Sequence, residues 1–206
     1  MGTYQPISPY PRILLGPGPS CMPPAVVSAL SAPLMGHMDP AFTAIMDNIR
    51  AMLGEVFQTK NAVTIALPGG GMAGMQAAFT NLLEPGDTVV IGTAGYFAGR
   101  MFSIAERLGA RVIKVETDWG KALVPQAFAD VLAREKVKAI ALVHGETSTG
   151  IEQPITEISK LAHAHGAHMI VDAVASLGGV EVKVDEWQAD LCYAGGQKCL
   201  SAPPGI

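Results

Sequence analysis

The 206-residue chain is short of charge and short of cysteine, and each shortage narrows its function. Cys21, Cys192 and Cys199 are odd in number, and no pair has metal-ligand spacing. A disulfide scaffold and a cysteine metal site are disfavoured, and reduced thiols in a cytosol-like compartment are expected. Asp and Glu outnumber Lys and Arg, for a net charge of −4. Nucleic acid is not an expected partner, because phosphate neutralisation needs clustered Lys and Arg. No apolar run approaches the ~20 residues that span a bilayer, so no membrane partner is expected. The stretch Met1–Pro11 is polar and Pro-rich, without the basic start and apolar core of a signal peptide. No Gly-x-Ser-x-Gly elbow occurs, which disfavours a serine hydrolase. What the chain does have is 49% apolar residues, enough for a large core and incompatible with disorder.

Residues 1–20 read as an extended arm. Gly16-Pro17-Gly18-Pro19-Ser20 suits neither helix nor central strand. Pro23 and Pro24 fit the first turn of a helix over Ala25–Leu30. A longer helix is expected over 40–56, with Phe42, Ile45, Met46, Ile49, Met52 and Leu53 at helical spacing. From there the pattern alternates. Strands are predicted at 62–67, 88–91, 111–115, 138–143, 168–171 and 190–194. Helices are predicted at 72–83, 97–108, 125–134 and 154–165, with Gly109 and Gly166 as stops. Apolar strands alternating with helices predict an α/β fold, a mostly parallel sheet with helices on both faces. There is no internal repeat and no low-complexity linker. In such sheets ligands sit at the carboxyl ends of the strands, so the residues there are the candidates.

Four groups stand at those ends. Gly69-Gly70-Gly71-Met72-Ala73-Gly74 follows a predicted strand and opens a helix. Unpaired N–H groups there suit a phosphate, and a tight turn against the sheet is the plain alternative. The spacing also matches a dinucleotide fingerprint, but that reading needs an acid at the end of the second strand, where Ile91-Gly92-Thr93 has none. The loop after that strand holds Tyr96 and Phe97, aromatics that stack on a flat ligand or simply enter the core. His144-Gly145-Glu146-Thr147-Ser148-Thr149-Gly150 brings hydroxyls and a carboxylate to the same edge. Finally, Asp172 ends an apolar strand and is a candidate partner for a cation. Lys198 follows Gly195-Gly196-Gln197 among small and apolar neighbours, which suggests a buried, nucleophilic amine. Cys199, next to it, reads as a small core residue. His163, His165 and His168 are not expected to hold a metal, since two of them face different ways on one helix.

Together these residues resemble class V aminotransferases of fold type I, and most of all the alanine–glyoxylate / serine–pyruvate (serine–glyoxylate) group. Val171-Asp172-Ala173-Val174-Ala175-Ser176-Leu177-Gly178-Gly179 looks like that group's aspartate motif. Gly195-Gly196-Gln197-Lys198-Cys199-Leu200-Ser201-Ala202-Pro203-Pro204-Gly205 looks like its lysine motif. Leu15-Gly16-Pro17-Gly18-Pro19-Ser20 and the segment 144–150 also match. The resemblance implies pyridoxal 5'-phosphate (PLP) as cofactor, with Lys198 as its Schiff-base lysine and proton shuttle and Asp172 as the partner of its ring nitrogen. It places Phe97 on the ring and the Thr147 hydroxyl on the cofactor. Gly70, Gly71 and Met72 fall at the phosphate, with Gln197 nearby. Some relatives carry Ser and His at Gly70 and Met72, so a backbone cradle is what this chain shares with them.

The implied reaction is amino transfer from alanine or serine to glyoxylate or pyruvate, in a homodimer. The family implies a small C-terminal domain as well, so residues 1–20 and 21–206 correspond to the arm and an incomplete PLP-binding large domain. The arginine that grips the substrate carboxylate is then expected beyond Ile206, and a peroxisomal address at the C-terminus stays open beside a cytoplasmic location. Cysteine desulfurases, kynureninases and phosphoserine aminotransferases share the implied fold. A non-catalytic binding module is the reading of another class.

Overall fold

The alternation of apolar runs and amphipathic stretches builds one parallel sheet wrapped by helices. The computed structural model describes residues 7–205; residues 1–6 of the expected arm and Ile206 lie outside the described residues. The helices are α1 (Pro24–Ala29), α2 (Pro40–Val56), α3 (Gly71–Leu82), α4 (Tyr96–Arg107), α5 (Pro125–Leu132) and α6 (Ile155–Ala164). The strands are β1 (Thr88–Thr93), β2 (Arg111–Glu116), β3 (Ala139–Val143), β4 (Gly145–Glu146), β5 (Ile151–Glu152), β6 (His168–Asp172) and β7 (Leu191–Tyr193). Five of them form an all-parallel sheet in the order β2-β1-β3-β6-β7, while β4 and β5 make a small antiparallel hairpin.

Side chains alternate across the pleat, so each central strand feeds two cores. Val89, Ile91, Ala141 and Ile170 face one side, with Met75 and Phe79 of α3 and Met101 of α4. Val90, Ile140, Leu142 and Val171 face the other, with Phe128 of α5 and Ile158 of α6. The chain leaves β1 for β2 through α4, then crosses back to β3 through α5 on the opposite face. The order therefore reverses between β1 and β3, and a crevice is expected at their carboxyl ends.

The strand expected over 62–67 does not form. Val63 and Ile65 are exposed, and Asn61 turns the segment by accepting from Val63 N and offering its carbonyl to the Thr64 hydroxyl. Apolar, β-prone residues become a strand only beside a paired neighbour, and β7 pairs with β6 alone among the described residues. The hairpin β4–β5, too short for a periodicity signal, escaped the sequence reading. Helix α2 forms where expected, started by Asp39, which accepts from Ala41 N at 2.8 Å, and by Pro40. It nevertheless buries no residue.

The histidines near α6 are structural. His163 and His168 both bond Asp190, at 2.9 and 3.2 Å, and Met169 N donates to the same carboxylate at 2.7 Å. Burial pushes the Asp190 carboxyl up, but these bonds outweigh it and hold the group below its ordinary value. No helix among the described residues is long and apolar enough to cross a membrane.

Candidate active site

The glycine loop enters α3 with bare backbone. Gly70 is the N-cap and offers no side-chain bond, and the first N–H groups of a helix have no partner within it. Gly71 is buried against the turn after β6, where an added Cβ would stand 2.5 Å from Val174 Cγ2. A Cβ on Gly70 would meet nothing within 4 Å, so the space beside this helix start is free at Gly70. Gly69 adopts a left-handed φ of 143°, and its N–H is tied to Gly205 O at 2.7 Å, joining the loop to the end of the lysine motif.

Asp172 ends β6, 3% exposed. Its Oδ1 accepts from Val174 N at 2.9 Å and its Oδ2 from the Tyr193 hydroxyl at 3.0 Å. The parallel register that pairs Asp172 with Tyr193 makes the second bond. Burial pushes the Asp172 carboxyl up to about 6, against the lowering by these two donors. The Glu146 charge adds to the rise and Lys198 subtracts from it. The buried Tyr193 hydroxyl and the partly buried Cys192 thiol are pushed up as well, by desolvation first and then by the Asp172 charge.

Lys198 is half-buried rather than fully enclosed, because its amine reaches the arm. Nζ donates to Pro17 O at 2.7 Å, and a Cβ on Gly18 would lie 2.5 Å from Lys198 Cδ. Ser20 fastens the arm below, its hydroxyl donating to Lys198 O at 2.7 Å and its N–H to Gln197 O at 2.9 Å. The Gln197 side-chain oxygen is buried and unbonded among the described residues. Cys199, expected in the core, is exposed instead: the turn that aims Lys198 at the arm leaves the next side chain facing the cleft.

The loop after β3 serves the loop after β1. Glu146, 1% exposed, accepts from Phe97 N at 3.2 Å and from the Ser148 hydroxyl at 2.7 Å. Ser148 Oγ in turn accepts from Tyr96 N at 2.9 Å. Gly95, the N-cap of α4, contributes no side chain, and any Cβ there would overlap Glu146 and Ser148. This cap from another loop fixes Phe97, half-buried, edge-on to Tyr96 with ring centroids 5.3 Å apart.

A cleft of about 470 Å³ opens between the arm, the 145–152 hairpin and the turn after β6. Thr147 and Lys198 line it; Asp172, Gln197, Phe97, Gly70, Gly71 and Met72 do not. Phe97 is linked to it through Glu146 and Gln197 through Lys198, while Gly71 and Asp172 both touch Val174, the residue before Ala175 of the lining. Sequence reasoning missed Tyr193, Ser20, Ser148 and the buried His144, which bonds Ser176 and Glu152. Ser20, His144 and Ser148 lie within the motif segments 15–20 and 144–150, but nothing in those segments points to these bonds.

Comparison with known proteins agrees with this geometry. The family model "Aminotransferase class-V" matches residues 13–206. The alanine–glyoxylate aminotransferase of Rattus norvegicus is 43% identical over 202 residues, 98% of this chain and 49% of its own length. The (S)-ureidoglycine–glyoxylate transaminase of Bacillus subtilis is 43% identical over 195 residues, 95% of this chain and 47% of its own. The crystal structure of alanine–glyoxylate aminotransferase from Nostoc sp. superposes with a TM-score of 0.96 at 43% identity, over 98% of this chain and 54% of that one. The chain thus spans about half the length of the relatives it matches. With the motifs in order, the sheet in place and the match running nearly end to end, the chain belongs to the class-V aminotransferase family.

Proposed function

We propose that residues 1–20 and 21–206 are the arm and the cofactor-binding large domain of a pyridoxal-phosphate-dependent aminotransferase. The protein would move an amino group from a small amino acid, alanine or serine, to glyoxylate or pyruvate. The glyoxylate relatives support the acceptor, and one of them is named for a urea-bearing donor. The observation that carries the reading is a buried carboxylate, Asp172, that feels the charge of Lys198 and bonds Val174, the residue on which the glycine start of α3 packs.

The residues fit the cofactor. Gly70, at the start of α3, has free space where a side chain would stand, and the first N–H groups of a helix, which have no partner within it, suit an anion there. Gln197 has a buried amide oxygen without a partner among the described residues, and with the amide turned over its NH2 would suit a phosphate. Asp172 is a desolvated carboxylate bonded only to neutral donors, an arrangement that favours an incoming cation. When bound, pyridoxal phosphate supplies an electron-withdrawing ring conjugated to the substrate's Cα.

The chain's own residues would do the rest. Asp172 would keep the ring nitrogen protonated, and Gly70, Gly71 and Met72 would hold the phosphate. Phe97 would cover the ring and the Thr147 hydroxyl would fix its edge. Lys198 would attach the cofactor through Nζ and, once displaced by the amino donor, carry the proton from the substrate's Cα to the cofactor's C4′. The exposed apolar surface of α1 and α2 supports a homodimer, and three free cysteines suit a reducing, cytoplasmic compartment.

The test is chemical. The full-length protein is incubated with pyridoxal phosphate, reduced with borohydride and mapped by mass spectrometry. The adduct is expected on Lys198 and absent in Lys198→Ala. Modification elsewhere, with Lys198 untouched, overturns the reading.

A further inference from the structure

The cleft beside Lys198 has a wall to which the reading above gives no role. Glu152 of β5 and Ser176, in the turn after β6, both line it. A buried imidazole joins them from behind. His144 is 1% exposed, with Nδ1 2.9 Å from Ser176 Oγ and Nε2 3.3 Å from Glu152 Oε1. The ring packs edge-on to Trp187, with centroids 4.6 Å apart.

A ring bonded at both nitrogens has its tautomer set by its partners. A carboxylate only accepts, so Nε2 carries the hydrogen and Nδ1 is left as an acceptor. Ser176 must then give its single proton to Nδ1, and the lone pairs of Oγ are what remain for the cleft. Burial lowers the His144 pKa and so favours the neutral ring on which this assignment depends. The Glu152 side chain is 65% exposed, and its second oxygen is free for a ligand. The wall thus presents acceptors. Among the described residues Lys198 is the one cation lining the cleft, and the buried Glu146 adds a second carboxylate.

We propose, resting on the aminotransferase reading, that Glu152 and Ser176 select the amino donor. They favour a small amino acid whose side chain bears N–H groups, of amide or urea type, and reject one bearing a second carboxylate or a phosphate. An N–H group facing this wall is paired. A carboxylate facing it meets like charge and leaves acceptors opposed, and a repulsive element of that kind sets specificity as effectively as an attractive one.

Asparagine and aspartate are near-isosteric probes that differ in this property alone. With the full-length holoenzyme, kcat/KM for asparagine is expected to exceed that for aspartate by about tenfold or more. Glu152→Gln should shrink that ratio by about tenfold, because the new amide can donate to Nε2. The ring then changes tautomer and Ser176 turns its proton to the cleft, so one substitution converts the whole wall. Ser176→Ala should shrink the ratio less.

A second readout needs no turnover. Nitrogen-15 NMR of the cofactor-free full-length protein should show His144 protonated at Nε2, and at Nδ1 in Glu152→Gln. A wild-type ring protonated at Nδ1, or a ratio that Glu152→Gln leaves unchanged, overturns the selection. Alanine turned over, with asparagine and aspartate used equally, overturns the selection and leaves the aminotransferase reading standing. No transamination with any donor overturns both.

Discussion

Asp172 shows how a single residue is set against its own stability. A carboxylate 3% exposed and bonded to two neutral donors has its folded pKa raised from 3.8 to about 6. The folded state then holds the proton more tightly than the unfolded state between those values. Stability is therefore greatest below the unfolded pKa, falls as pH rises through the window, and carries the full cost above 6. That cost is on the order of 3 kcal/mol. Asparagine satisfies the same neighbours, its oxygen accepting from Val174 N and its amide donating to Tyr193. In the cofactor-free full-length protein, Asp172→Asn is expected to gain about 1–3 kcal/mol at pH 8 and to flatten the pH 4–6 limb. Its affinity for pyridoxal phosphate should fall by about tenfold or more. Urea unfolding from pH 4 to 8 and equilibrium dialysis check the two halves, and a variant less stable at pH 8 contradicts the account. Asp172 and Lys198 were legible as residues because their types and strand-end places are unusual. Tyr193, His144 and Glu152 were not, since their partners are 21, 32 and 8 positions away.

Helix α4 shows the same separation between an element and what holds it. Its apolar spacing foretold a helix, but not how it begins. Gly95 cannot cap it, and Glu146 and Ser148 cap it from a loop about fifty residues later. Carboxylate and hydroxyl acceptors at a helix start satisfy otherwise orphaned N–H groups and oppose the positive end of the dipole. Ser148→Ala is expected to cost about 1 kcal/mol. It should speed hydrogen exchange at Tyr96 and Phe97, with little change in the later turns of α4. Uniform exchange along α4 would show that the cap does not govern its first turn. Segment 62–67 is the converse case, in which β-prone residues were legible but no strand followed. Strand character rests on a neighbour, and none is supplied here.

At the scale of the whole molecule, the two cores account for α3 to α6 but not for α1 and α2. Leu34, Met38 and Met52 stand exposed in and around helices that bury nothing. Large apolar side chains left exposed on and beside two helices suit an interaction site. The full-length protein is expected to sediment as a dimer, and Met38→Glu to shift it toward monomer at micromolar concentration. A dimer indifferent to that change would place the interface elsewhere. The sequence alone determined the α/β class, nearly every helix, the strands of the sheet, and the residues whose chemistry stands out, Asp172 and Lys198 with the glycine cradle. These are local properties: periodicity, turn chemistry and residue type act over a few positions. Only the tertiary structure decided that the arm lies on Lys198, that Cys199 faces a cleft, that Tyr193 bonds Asp172, and that His144 joins Ser176 to Glu152. Each of these depends on sheet order and register, which bring distant strand ends together and which no short stretch of sequence encodes.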